Sequence, residues 1–199
     1  MKKFTLVAAL MVLLCGTALS AKNFDWSKSW CNYGAGIEKG DFLVNVDAGL
    51  FWTDVATAAA WNSGYSKSWM IPPVMVEVQY ATPIWKLPFT FGGYAGVHGV
   101  GYKYDFDGYY THEHYKRHKV CISFGAEAAY HAMLPIEKLD VYAMIRLGGA
   151  VPISNMTLSF ADFVEPGFSI GANYFFTDKI GANLEFGAPF SKIGLTLKF

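Results

Sequence analysis

The chain has 199 residues, of which 53% are apolar, 17% aromatic and 16% charged, and its 16 basic and 16 acidic side chains leave no formal net charge. That length suits one domain, the charged fraction lies well under the roughly one quarter usual in soluble proteins, and a balanced charge without a basic face excludes a nucleic-acid partner. After the first residues no apolar run approaches the ~20 residues of a membrane helix, so a membrane form of this chain must cross as strands.

The chain begins with a basic triplet, Met1, Lys2 and Lys3, followed by an apolar run from Phe4 to Leu14 in which Thr5 is the only polar residue. Gly16, Thr17, Ala18 and Ser20 then supply small residues, and Ala18-Leu19-Ser20-Ala21 offers a cleavage site. This layout predicts a secretory signal peptide over residues 1–21, with the mature chain starting near Lys22. Lipid attachment at Cys15 is the weaker reading, because bulky Leu14 stands where such a site takes a small residue.

From residue 42 onward, apolar residues recur at every second position, the period of a strand. The first segment sets Phe42, Val44, Val46, Ala48, Leu50 and Trp52 against Leu43, Asn45, Asp47, Gly49 and Phe51. The second, 74–80, sets valines and Tyr80 against Met75, Glu77 and Gln79, with Ile71-Pro72-Pro73 leading into it. The third (89–99) and fourth (120–131) put Thr90, Tyr94, His98, Ser123, Glu127 and His131 on their polar faces. The fifth (139–149), sixth (168–176), seventh (180–188) and eighth (192–199) do the same with Asp140, Arg146, Ser169, Asn173, Asn183, Glu185, Lys192 and Thr196.

None of the eight apolar faces carries a charge. The opposite faces, built of glycine, amides and carboxylates, are too poor in aliphatic groups to form the core of a soluble sandwich or lipocalin-like barrel. The apolar set must then face outward into lipid, and the fold class predicted is all-β, an eight-stranded antiparallel up-and-down transmembrane β-barrel. Connections over 53–69, 102–118 and 152–166 read as long loops, and those over 81–88, 132–138 and 177–179 as short turns, with 189–191 an exceptionally small loop on the long side. Long loops face the cell exterior in outer-membrane barrels, so both termini are expected in the periplasm. Residues 22–39 then form an N-terminal periplasmic arm and residues 40–199 the barrel. Trp52, Trp69, Tyr80, Trp85, Tyr130, Tyr174 and Phe176 fall near strand ends, where aromatic girdles sit. Cys31 belongs to the arm and Cys121 to the opposite rim, too distant for the ~7 Å Cα limit of a disulfide unless the arm folds up into the lumen.

The C-terminal run Lys192-Ile193-Gly194-Leu195-Thr196-Leu197-Lys198-Phe199 resembles the signal read by the outer-membrane barrel assembly machinery, with Lys192, Gly194, Leu197 and Phe199 at its marked positions. The mature chain resembles the small eight-stranded outer membrane beta-barrel proteins of the OmpX, OmpA and OmpW type, most closely through the hairpin Gly171-Ala172-Asn173-Tyr174-Phe175-Phe176-Thr177-Asp178-Lys179-Ile180-Gly181-Ala182. That resemblance implies an integral outer-membrane protein with outer-membrane lipid and the assembly machinery as partners, and passage of small solutes.

Six inward charges, Asp47, Glu77, Glu127, Asp140, Arg146 and Glu185, share a lumen only wide enough for side chains to fill. Pairing of Arg146 with Glu77, Glu127 or Glu185 makes them a plug, and a looser arrangement makes them a narrow polar pathway. Asp107-Gly108 signals a two-residue hairpin in which Phe106 pairs with Tyr109. Around it, Tyr104, Phe106, Tyr109 and Tyr110 form an amphipathic set suited to recognition of an extracellular ligand or host surface. His112 and His114 are weak metal candidates, because no fixed carboxylate or cysteine completes a ligand set. No cofactor is expected. Nor is an enzyme, since parity turns Ser123 and His118 in opposite directions. Two functions remain: porin-like passage of small solutes, which needs a continuous lumen, and a non-conducting surface barrel whose loops bind a host or envelope partner, which needs a sealed one.

Overall fold

The computed structural model describes residues 25–52, 67–107, 112–154, 160 and 163–199. A one-turn helix, α1 (Trp26–Ser29), precedes the strands β1 (Phe42–Trp52), β2 (Lys67–Ala81), β3 (Phe89–Asp107), β4 (His112–Met133), β5 (Leu139–Ser154), β6 (Val164–Phe175), β7 (Ile180–Ala188) and β8 (Phe190–Lys198). Each strand pairs antiparallel with the next, and β8 returns to β1 over Leu43↔Lys198 to Trp52↔Phe190, closing an eight-stranded barrel with no free edge. The residues around the predicted signal peptide, 1–24, lie outside the described residues.

Burial follows the parity read from the sequence. Along β5, Asp140, Tyr142, Met144 and Arg146 are at most 5% exposed, while Ile145 and Leu147 are 60% and 68% exposed. The outward set continues around the barrel through Val46, Val76, Phe91, Phe124, Ile170, Phe186 and Leu195. An apolar belt around a polar interior inverts a soluble barrel and matches one whose outer solvent is hydrocarbon. Closure answers the same solvent, since lipid offers no hydrogen bond to an unpaired strand edge.

Strand lengths depart from the sequence reading. β1 and β7 coincide with the first and seventh predicted segments, but β3 and β4 take up most of the expected 102–118 loop, and β2 and β5 reach into the ends of theirs, over 67–69 and 152–154. Pro72 and Pro73 lie inside β2, where the sequence placed them at its entrance. A proline has no N–H for the ladder, and the β2–β3 register slips by one residue between Ile71 and Val74, a bulge that absorbs the defect. A second slip, between Gly49 and Phe51 of β1, accommodates the start of β8 at Phe190 rather than Lys192 and leaves Pro189 as the whole β7–β8 connection.

The β3–β4 ladder runs unbroken from Phe89↔Tyr130 to Asp107↔His112. Phe106 therefore pairs with Glu113, not Tyr109, and the ladder reaches Asp107↔His112, so Asp107 is a strand residue and not half of a two-residue turn. Inward parity could not separate these registers because they differ by an even number of residues. The long ladder below the turn fixes the choice. A membrane strand needs about 9–11 residues, which β7 and β8, with 9 each, supply. β3 has 19 and β4 has 22, so their ribbon continues beyond the barrel wall.

Placing a guanidinium on the belt tests its solvent. Ile145 stands opposite Ala128 and Phe168. Ile145→Arg should cost roughly 2–4 kcal/mol near the bilayer midplane, read as reversible urea unfolding from lipid vesicles, and far more than Ile145→Ala. Equal effects of the two substitutions would place this face outside hydrocarbon.

Candidate functional site

Six strands send charge into one lumen layer. Arg146 on β5 faces Glu127 across the β4–β5 ladder, and Lys192 on β8 faces Glu185 across β7–β8. Arg146 Nη2 donates to Glu77 Oε1 at 2.6 Å and to Glu185 Oε2 at 3.0 Å, and Nε donates to Glu127 Oε2 at 3.2 Å. Its Nη1 lies 2.7 Å from Glu185 Oε1 at an angle outside hydrogen-bonding range, so we read that contact as charge attraction alone. Lys192 Nζ donates to Asp47 Oδ2 at 2.7 Å and to Glu77 Oε1, and lies 3.3 Å from Glu185 Oε2. None of the six is more than 5% exposed. Removing such ions from water is expensive, and only mutual pairing with further hydrogen bonds offsets the cost.

Aromatic side chains laid over glycines fix the layer's position. A Cβ on Gly148 would collide with the Tyr94 hydroxyl, and one on Gly125 would come within 2.8 Å of Tyr94 Cε1. Tyr94 therefore lies flat across two neighbouring strands, an arrangement that pins register. The Arg146 guanidinium carbon sits 5.6 Å from the centre of the same ring. Tyr142 covers Gly171 in the same way and donates to Glu185 Oε2 at 3.1 Å.

Asp140 stands apart from this cluster. Both of its oxygens lie 2.9 Å from His131 Nδ1, and Asn173 Nδ2 donates to Oδ2 at 2.9 Å. Neutral groups link the two sets. On one side Thr90 Oγ1 lies 2.9 Å from His131 Nε2 and donates to Gln79 Oε1 at 2.7 Å, and Gln79 Nε2 donates to Glu127 Oε1 at 2.8 Å. On the other, the Thr196 hydroxyl lies 2.8 Å from both Asn173 Oδ1 and Asn45 Oδ1, and Asn45 Nδ2 donates to Glu77 Oε2 at 3.1 Å. The result is a closed hydrogen-bonded circuit around the lumen, passing through Arg146.

Lys192 was assigned from sequence only to the C-terminal assembly signal, yet it is the second cation of the cluster. Its parity already placed it inward; the role given to the motif hid it. His131 had the same parity and no assigned role. Of the other signal positions, Gly194 sits where a Cβ would strike Asp47 Oδ1 and the Val46 carbonyl, Leu197 is partly exposed, and Phe199 is 67% exposed. Tyr104 and Phe106 occupy the β3 extension, and His112 and His114 pair with Asp107 and Asp105 at the start of β4. Tyr109 and Tyr110 lie outside the described residues. Ser123 is 1% exposed with its hydroxyl 3.5 Å from His98 Nδ1. Among the described residues no three His, Cys, Asp or Glu side chains are grouped to hold a metal ion. Cys31 and Cys121 do not form a disulfide, the first being exposed and the second buried.

The part of the arm that is described lies over the lumen mouth at the short-turn end. Ile37 is 5% exposed and packs with Leu43, Ala81 and Phe175. Tyr33 donates to the Phe89 carbonyl, and burial together with the negative charge of Asp140 pushes its phenol up to about 12.

No protein-family model matches the chain, and no curated protein matches it. Among solved structures it is similar to one described as "De novo design of transmembrane beta-barrels", at 15% identity and a TM-score of 0.45, over 82% of this chain and 98% of that one. The barrel assignment rests on the closed ladder itself.

Breaking one pair should leave an uncompensated charge in the lumen. Glu77→Gln and Lys192→Met should each destabilise the barrel by about 3–5 kcal/mol. The double variant should cost less than the sum, because the two side chains share one bond. Equilibrium unfolding from vesicles reads all three; strict additivity would show that the pair does not interact.

Proposed function

We propose that the protein is an integral barrel of the bacterial outer membrane, closed to solutes in the state described, that works by presenting its extended strands and loops to a partner outside the cell. The observation that carries this reading is the Arg146–Lys192 cluster. It joins Asp47, Glu77, Glu127 and Glu185 from facing walls of the barrel with no member more than 5% exposed. An eight-stranded lumen is only wide enough for side chains to fill, and porin-like passage would require this layer to part.

Residues 1–21 serve as the export signal, and Lys192, Gly194, Leu197 and Phe199 as the address for the assembly machinery. The arm, the short turns and both termini then lie in the periplasm, and the β3–β4 ribbon stands outside the cell. Its surplus of about ten residues over β7 amounts to roughly 30 Å of strand length. Strand parity supports a change of environment along it. The positions continuing the lipid-facing rows of Val97 and Ile122 become Lys103, Asp105 and Asp107 on β3, and His112, His114 and Lys116 on β4. The alternate register positions become Tyr102, Tyr104 and Phe106 on β3, and Glu113, Tyr115 and Arg117 on β4. A charged row replacing an apolar one marks the end of the hydrocarbon, and the alternate row, aromatic at four positions and charged at two, is the surface we assign to recognition. We propose no catalysis: Ser123 is too deeply buried for a substrate to reach.

Ion conductance and solute flux through the refolded protein in planar bilayers test the closed state. The wild type should pass neither, and an Arg146→Ala/Lys192→Ala variant should leak. Steady conductance through the wild type would replace this reading with porin-like passage.

A further inference from the structure

Beyond the barrel wall the β3–β4 ribbon presents a strand edge. β2 accompanies β3 only as far as Lys67↔Lys103, and β5 accompanies β4 only as far as Lys119↔Ser154. Among the described residues, positions 112–117 of β4 then pair with β3 and with no other strand. Such an edge carries a row of backbone groups that an added strand can take up. The matching stretch of β3, Tyr104-Asp105-Phe106-Asp107, is shorter, and all its charges are acidic.

The β4 edge reads His112-Glu113-His114-Tyr115-Lys116-Arg117, and the strand that complements it is a second copy of itself. Two identical strands pair antiparallel about a twofold axis, so the residue on the axis sets every other pair. With Tyr115 on the axis, Glu113 of each copy meets Arg117 of the other, Tyr115 meets Tyr115, and His114 meets Lys116. Opposite charges placed directly across a ladder stabilise it, and like charges oppose it. Moving the axis to His114 sets Glu113 against Tyr115, and moving it to Lys116 sets Lys116 against Lys116. Glu113 is the only acid of the segment, and the Tyr115 register is the one of the three that gives it a base. The β3 partners of these positions are Phe106, Tyr104 and Tyr102. The joined sheet would therefore carry four tyrosines in line, Tyr104 and Tyr115 from each copy, between two rows that each hold one acid and one base. Basic residues on an edge ordinarily discourage pairing. This spacing of Glu113 and Arg117 exempts a strand of the same sequence.

We propose that the partner outside the cell is a second copy of this protein in a facing membrane, joined to the first by antiparallel pairing of the two β4 edges about Tyr115. The inference rests on the reading that places the ribbon outside the cell, and it names the partner. Strand direction distinguishes facing membranes from a shared one. Two copies in one membrane are related by an axis along its normal, so β4 edges that rise from it run the same way. Pairing them parallel and in register would set Glu113 against Glu113 and Arg117 against Arg117. Copies in facing membranes are related by an axis lying between the two surfaces. That axis reverses one edge and brings each acid to a base. The contact lies beyond the wall and leaves the Arg146–Lys192 plug unchanged.

Two populations of phosphatidylcholine vesicles, each with its own lipid dye and carrying the refolded mature protein, test the pairing through the formation of two-colour clusters. Wild-type vesicles should cluster, and protein-free vesicles should not. Glu113→Arg and Arg117→Glu should each fall to the protein-free level alone, because each sets like charges across the axis. Vesicles of one single variant mixed with vesicles of the other should cluster again, since every acid then meets a base across the two membranes. The variant carrying both substitutions should cluster with itself. Equilibrium unfolding should match the wild type in every case, which shows the barrels to be folded. In a chain with Cys31→Ser and Cys121→Ala, Tyr115→Cys should yield disulfide-linked dimers drawn from both populations. Dispersed wild-type vesicles would overturn the proposal, as would single variants that cluster alone or a mixture of the two that stays dispersed. Labelling the same Tyr115→Cys chain on intact cells with a membrane-impermeant thiol reagent isolates the reading beneath it. A labelled ribbon on vesicles that stay dispersed removes the self-pairing alone, and an unlabelled ribbon removes the outward orientation with it.

Discussion

The β1–β8 ladder is the contact on which the rest of the structure depends. In hydrocarbon each unpaired backbone group costs several kcal/mol, so the first and last strands must meet, and they do so from Leu43↔Lys198 to Trp52↔Phe190. Closure divides every strand into a row facing lipid and a row facing the lumen. Polar side chains admitted by the inner row then have only one another as partners. The Arg146–Lys192 cluster and the circuit through His131 are consequences of closing a narrow barrel around polar residues.

The two halves of that interior do different work. Around Arg146, charges converge from six strands, and each carboxylate of the cluster meets at least one cation. Below it the circuit thins to amides, hydroxyls and the His131–Asp140 pair and ends against a backbone segment, the arm, held by single hydrogen bonds and a small apolar cluster. The cluster acts as a rigid brace. The arm has few buried contacts of its own, which places it among the parts of a protein that open most easily. At the opposite end stands the β3–β4 ribbon, the surface proposed for recognition, along which the outward row of residues turns charged.

Strand number, closure and inward parity were all legible in the sequence, because a period-two pattern with a charge-free face survives any error in strand ends. The ends themselves were not. Pro72 and Pro73 look like a boundary, but a one-residue bulge lets β2 continue through them. The turn at Asp107-Gly108 looked like a tight hairpin, and parity allows both that register and the one in which Phe106 meets Glu113. Within the site, Asp47, Glu77, Glu127, Arg146 and Glu185 were visible as inward charges, whereas Lys192 was hidden behind its place in the C-terminal motif and Asp140 was grouped with charges it does not touch. The arm's seat could not be read at all. It depends on Gly34, Tyr33 and Ile37 meeting strand ends distant in sequence, and no periodicity announces that.

The central claim is that the charged layer is a buried, ion-paired plug that closes the lumen. Solid-state nuclear magnetic resonance of the protein in bilayers, following magnetisation transfer from water to the Arg146 guanidinium, addresses it directly. A paired, buried Arg146 should receive magnetisation far more slowly than the exposed Lys28. Transfer to Arg146 as fast as to Lys28 would mean a water-filled pore and would contradict the account.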